Sequence, residues 1–172
     1  MVVHKARARA DKADQPSVVP VNLDLPYLGF FLGLRVNELV AAELVDAGFK
    51  DVRQSHGFVV QHLIAQDRTI TELARRMEVS QQAASKVVAE MKALGILESV
   101  PGDDRRAKLI RLSPRGREAV TRSRAARRRI EARLIKAIGT RKYSDGKRVL
   151  IACLDTLGGL GRVSSRRIRA PR

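Results

Sequence analysis

Aromatic residues make up only 3% of the 172-residue chain, and tryptophan is absent. The 44% of apolar residues must therefore fill a core with aliphatic side chains. A single cysteine, Cys153, excludes an internal disulfide framework and a cysteine-based zinc site. The three histidines, His4, His56 and His62, are scattered and assemble no metal motif. The most apolar run, Tyr27 to Leu34, is too short to span a bilayer and ends at Arg35. Residues 1–20 are polar and basic and do not read as a secretory signal, so the expected compartment is cytoplasmic, in association with the nucleoid. No nucleophile–base pair, metal cluster or phosphate-binding loop is legible. The chain reads as no enzyme and calls for no cofactor. Acid is scarce too: 18 Asp and Glu stand against 34 Lys and Arg, a net charge of +16. Such a surplus points to a polyanionic partner, nucleic acid first, with an anionic membrane surface as the competing reading.

What is present centres on residues 69–112, TITELARRMEVSQQAASKVVAEMKALGILESVPGDDRRAKLIRL. Thr69 and Glu72 form a capping box for a helix to about Met77. Glu78 and Val79 make the turn, Ser80 caps a second helix to about Leu94, and Gly95 ends it. At 100° per residue, Ala84, Val87, Val88, Met91 and Leu94 share one side of that helix. The opposite side holds Gln82, Ser85, Lys86, Ala89 and Ala93. Gln can bond adenine through two hydrogen bonds, Lys can reach guanine or phosphate, and the two Ala let another surface approach. A polar face is also what any solvated helix shows; its place after a capped helix and a short turn favours the DNA reading. Ile96 to Val100 and Lys108 to Leu112 read as a hairpin with Arg105 and Arg106 at its tip. Arg at such a tip can enter the minor groove, and Asp104 can brace Arg106. The alternative is a solvated hairpin with a surface ion pair.

The flanks read as helices. Asp24 caps one to about Ala47, apolar nearly all round at first, which favours a subunit interface over a plain core helix. A second runs from Gln54 to about Gln66 and carries His56 and His62. Ser113 caps a long helix to about Ile138, with Pro114 in its first turn and nine basic residues between Arg115 and Lys136. That density suggests an acidic partner or a solvated basic face. Ser144 caps a last helix to about Leu157, whose apolar stripe includes Cys153 as a small buried hydrophobe. Basic ends, residues 1–21 and 161–172, read as a flexible arm and an Arg-rich disordered tail.

This order of elements resembles the MarR family of winged helix-turn-helix transcriptional regulators. Its carriers are Glu72-Leu73-Ala74, Val79-Ser80, Gly95 and the run Asp104-Arg105-Arg106-Ala107-Lys108-Leu109-Ile110-Arg111-Leu112-Ser113-Pro114-Arg115-Gly116. The resemblance is strong over residues 54–116 and loose elsewhere. It implies a mainly α fold with a small β wing: a winged helix-turn-helix, residues 67–112, embedded in an α-helical dimerisation frame, residues 22–66 and 113–160. It implies a homodimer on a pseudo-palindromic operator, acting as a repressor. The expected DNA contacts are Ser80, Gln81, Gln82, Ser85, Lys86, Arg105, Arg106 and Lys108, with Asp104 bracing the wing. A small aromatic effector is implied between frame and DNA-binding region, in a cleft among the first, second and long helices, where Tyr27, Phe31 and His56 would line its pocket. Peroxide-sensing members carry a cysteine near the first helix; here the only one is Cys153, so thiol sensing does not carry over. A low-specificity architectural DNA binder is the alternative, supported by the charge and the Arg-rich ends.

Overall fold

The computed structural model describes residues 19–102 and 108–165, and the chain falls into two units, residues 1–34 and 35–172. In the first, a short 3-10 turn, Pro20–Asn22, precedes the start of helix α1, Leu25–Asp46. Asp24 is its cap: Oδ1 accepts the Tyr27 N–H at 2.8 Å. Tyr27 and Phe31 meet edge to face with centroids 4.9 Å apart, and Phe30 joins them. All three rings are exposed, as are Leu25, Leu28, Leu32 and Leu34.

The second unit takes in the rest of α1 and then α2 (Gln54–Leu63), α3 (Ile70–Met77), α4 (Gln81–Ala93), β1 (Leu97–Pro101), β2 (Lys108–Leu112), α5 (Pro114–Ile138), α6 (Thr140–Thr156) and α7 (Leu160–Ser165). Its core is aliphatic apart from Phe49: Val59, Leu73, Val88, Met91, Ile96 and Ile110 are each at most 2% exposed. The inward faces are those that helical and strand periodicity assign. The strands pair antiparallel from Leu97 opposite Leu112 to Pro101 opposite Lys108. Leu97, Ile110 and Leu112 point inward, while Glu98 and Arg111 pair outward at 2.7 Å.

Three boundaries and the burial of Cys153 differ from expectation. Helix α2 stops at Leu63 rather than Gln66, because the chain turns to bring Arg68 beside the wing. The Arg68 N–H donates to the Ile110 carbonyl at 3.1 Å, and the Ile110 N–H donates back at 2.7 Å. The buried Arg68 Nε then donates to the His62 carbonyl at 2.7 Å, satisfying an acceptor in the last turn of α2. Helix α6 starts at Thr140, not at Ser144: Gly139, at φ +84°, turns the chain, and the helix resumes at once. Its apolar residues Val149, Leu150, Leu154 and Leu157 are exposed and Cys153 is half-buried, not sequestered. Finally, the tail expected to be disordered from residue 161 begins inside α7.

The junction of wing and long helix is tight. The Ile96 carbonyl accepts the Ser113 N–H at 3.0 Å, and the Ser113 hydroxyl donates to the Gly95 carbonyl at 2.5 Å with the Ile96 carbonyl 3.1 Å away. That hydroxyl also accepts the Gly116 N–H at 2.9 Å, capping α5. A Cβ on Gly116 would lie 2.1 Å from the Ile96 carbonyl oxygen. Only glycine lets the first turn of α5 approach this closely. Gly116→Ala is therefore expected to cost about 1–3 kcal/mol through backbone displacement. The midpoint of urea unfolding reads this, and an unchanged midpoint contradicts it.

Candidate nucleic-acid interface

Helix α3 is fixed at both ends. Thr69 Oγ1 accepts the Glu72 N–H at 3.2 Å, and Glu72 Oε2 accepts the Thr69 N–H at 2.8 Å. The Thr69 backbone bond, then its hydroxyl, hold the Glu72 carboxyl below the usual carboxylate range. The helix ends at Glu78, whose φ of 56° makes it the one non-glycine in the left-handed region among the described residues. Two residues later, Ser80 Oγ accepts the Ala83 N–H at 3.1 Å and starts α4. Turn and second helix are thus set by hydrogen bonds within a dozen residues.

Helix α4 buries Ala84, Val88 and Met91 and presents Gln81, Gln82, Lys86, Ala89 and Ala93 to solvent, with Ser85 half-buried. Ser80 is exposed, but its oxygen is engaged as the cap. Lys108 is exposed at the start of β2. The wing-tip residues Asp104, Arg105 and Arg106 lie outside the described residues. The structure therefore brings Gln81, Gln82, Ser85 and Lys86 onto one surface of one helix. That surface can offer amide, hydroxyl and ammonium groups to base edges and phosphates.

Of the other expected site residues, Tyr27 and Phe31 are exposed in the N-terminal unit. His56 is fully buried. Its Nδ1 accepts the Arg53 N–H at 3.2 Å, and its Nε2 faces Glu90 Oε1 at 3.3 Å without hydrogen-bond alignment. Burial pushes the His56 pKa down; Glu90 opposes this and Arg53 adds to it.

An open cavity of about 260 Å³ lies in the second unit. Val40, Leu44, Val60, Ile64 and Val120 supply apolar wall, and Arg53, Arg124 and Arg127 line it with charge. His56 is not among the lining residues. Periodicity could not find this space, since its walls come from α1, α2 and α5, dozens of residues apart.

The basic helix α5 spends much of its charge internally. Arg115 donates to the Gly48 carbonyl at 2.8 Å, and its guanidinium lies 4.6 Å over the Phe49 ring. Arg117 donates to the Leu112 carbonyl, Arg127 to Asn37, and Arg122 and Arg129 pair with Glu118 and Glu43. Arg124, Arg128, Arg133 and Lys136 make no ion pair among the described residues. The density of charge in sequence thus overstated how much is free for an acidic partner.

Residues 50–107, from just before α2 into the wing, match the model of the MarR family. Over that stretch, 58 of the 172 residues, the chain is similar to the MarR family. No curated protein sequence matches the chain. Among solved structures, a MepR mutant from S. aureus bound to an oligodeoxyribonucleotide is similar at a TM-score of 0.58 and 16% identity; the match covers 78% of this chain and 99% of that one. YusO from Bacillus subtilis is similar at a TM-score of 0.62 and 18% identity, covering 77% of this chain and 93% of its own. A mutant of MarR from E. coli is similar at 0.58 and 18%, covering 77% and 97%. These likenesses show the fold: mainly helical, with a two-stranded wing. No helix among the described residues is long and apolar enough to cross a membrane.

The buried His56 gives the chain a pH dependence of defined sign. Its folded pKa is below the ordinary 6.5, so its contribution to stability is full above 6.5. It is lost as pH falls below that value toward the lowered one. Urea midpoints measured from about pH 8 down to about pH 5 should fall, and fall less in His56→Gln. Equal slopes in the two proteins would contradict this.

Proposed function

We propose that the chain is a sequence-specific transcriptional repressor that acts as a homodimer on a pseudo-palindromic operator. The observation that carries this is the outer face of α4. It is polar, free of bulky apolar groups, and held on a helix whose start and inner side are both fixed. In this reading α4 enters the major groove, with Gln81, Gln82, Ser85 and Lys86 at base edges and phosphates. Arg106 of the wing enters the minor groove, with Asp104 bracing it, and Arg105 and Lys108 also contact the DNA. Its likeness to MepR, a mutant of which is bound to an oligodeoxyribonucleotide, supports the assignment. The exposed apolar residues of α1 and of α6 support a second copy as their cover. The cavity among α1, α2 and α5 supports release by a small, largely apolar effector.

A second reading, a low-specificity architectural DNA binder, is favoured by the +16 charge. The two differ in how affinity depends on sequence and salt. Phosphate contacts give a steep fall in affinity with salt on any DNA, whereas base contacts give preference. Gln82→Ala should lower the operator-to-random affinity ratio by about 1–3 kcal/mol, whereas Arg128→Ala should weaken both DNAs alike. Genome-wide mapping of bound sites followed by gel shifts on a recovered site measures both. A ratio near one for the unaltered protein would favour the architectural reading.

A further inference from the structure

Residues 132–144 carry Arg133, Lys136, Arg141 and Lys142 and no Asp or Glu. They form the corner between α5 and α6. The Gly139 N–H donates to the Ile135 carbonyl at 2.8 Å and closes α5, and the Gly139 carbonyl accepts the Tyr143 N–H at 3.1 Å and opens α6. Tyr143 also reaches back across the corner, where its hydroxyl donates to Glu131 Oε1 at 2.8 Å. The corner is thus braced on both sides of the glycine. Its four cations are all exposed, and none makes an ion pair among the described residues. The nearest acids in sequence are engaged elsewhere, Glu131 by the Tyr143 hydroxyl and Asp145 by Arg148 at 2.5 Å. Uncompensated cations held this close raise the local positive potential and attract a polyanion.

The patch is separate from α4 and the wing. It lies at the far end of α5 from the wing, and 25 residues make that helix roughly 37 Å long at about 1.5 Å each. Between the two ends the basic track is broken, because Arg115, Arg117, Arg122, Arg127 and Arg129 all have partners within the chain. A phosphate backbone suits the corner better than a membrane surface does. Ala132, Ala137, Gly139 and Thr140 stand between the cations and let a stiff duplex come close. Binding to a membrane surface calls for a broad face of bulky apolar anchors. Here the one such side chain exposed is Ile138, while Tyr143 is half-buried with its hydroxyl bonded. The apolar residues of α6 that a second copy would cover begin at Val149, two turns beyond Lys142.

We propose that the α5–α6 corner is a second phosphate-binding site, which takes a DNA duplex other than the one on α4 and the wing, so that the protein joins two duplexes. Arg133, Lys136, Arg141 and Lys142 each neutralise a phosphate there and release its counterion, and no base edge is read. The inference rests on the proposed function for the first duplex and adds a partner for the opposite end of α5. Four such contacts make affinity for the second duplex fall roughly hundredfold between about 50 and 200 mM salt.

The test uses the full chain and two short duplexes cut from the most enriched genomic fragment, one immobilised and one fluorescent. The chain should carry fluorescent DNA onto the immobilised DNA. With Arg133→Gln, Lys136→Gln, Arg141→Gln and Lys142→Gln combined, this capture should fall at least about tenfold, while affinity for the immobilised duplex stays within about twofold. Acetylation of lysines, read by mass spectrometry as DNA is added, needs no variant. Lys86 and Lys108 should be protected at low DNA, and Lys136 and Lys142 only as a second duplex binds. Capture that persists in the combined variant overturns the proposal, since another surface then joins the duplexes. Protection of all four lysines at once also overturns it, because the corner then belongs to the first duplex. So does protection of Lys136 and Lys142 by phosphatidylglycerol vesicles but not by DNA. Protection of Lys136 and Lys142 without Lys86 and Lys108 would instead overturn the proposed function and leave the corner site standing.

Discussion

The carbonyl of Ile96 is the point on which the winged helix depends. It lies one residue past Gly95, where α4 has ended and β1 is about to begin, and it accepts the backbone N–H of Ser113, whose hydroxyl is shared between this oxygen and the nearer carbonyl of Gly95. Gly116 presses against the same oxygen. Three elements meet there: the end of α4, the base of the wing and the first turn of α5. The Ile96 side chain is 1% exposed, so the oxygen is held from the core side as well. Because the junction admits no spare volume, the tilt of α4 and the direction of the wing are set together.

From that junction the polar face of α4 follows with little freedom. The inner residues Ala84, Val88 and Met91 face the core, and a helix has only one opposite side. The Arg68–Ile110 bridge adds a single rung of a third strand and ties the wing to the linker between α2 and α3. The buried Arg68 guanidinium donates to the α2 terminus, and its pKa is lowered by burial first and by Arg76 second. It is one of several cases in which a cation counted toward the net charge serves the fold.

Charge shows where reading residues one at a time falls short. The basic run of α5 looks like a phosphate-binding stripe when only its own helix is considered. In the fold, Arg115 stacks on Phe49 and caps the carbonyl of Gly48, while Arg117 bonds the end of β2. Their long, amphipathic side chains are spent on packing and on terminal carbonyls. The same holds for Arg53 and Glu90. They are 37 residues apart, and no local pattern links them.

Capping, periodicity and turn chemistry act within about a dozen residues, and these the sequence determined by itself. Thr69 with Glu72, Ser80 with Ala83, Asp24 with Tyr27 and Ser113 with Gly116 all form as their spacing requires. The inner and outer faces of α4 and the pairing of the two strands follow for the same reason. The polar Ser144 reads as a cap for α6, but Gly139 turns the chain before it, so the helix starts at Thr140. What tertiary structure alone decided depends on groups brought together from distant positions. The cavity walls, the bridge at Arg68, the internal partners of the α5 arginines and the contact of α2 with Glu90 are all of this kind. Each arises from the packing of separate elements, which no single stretch of sequence encodes.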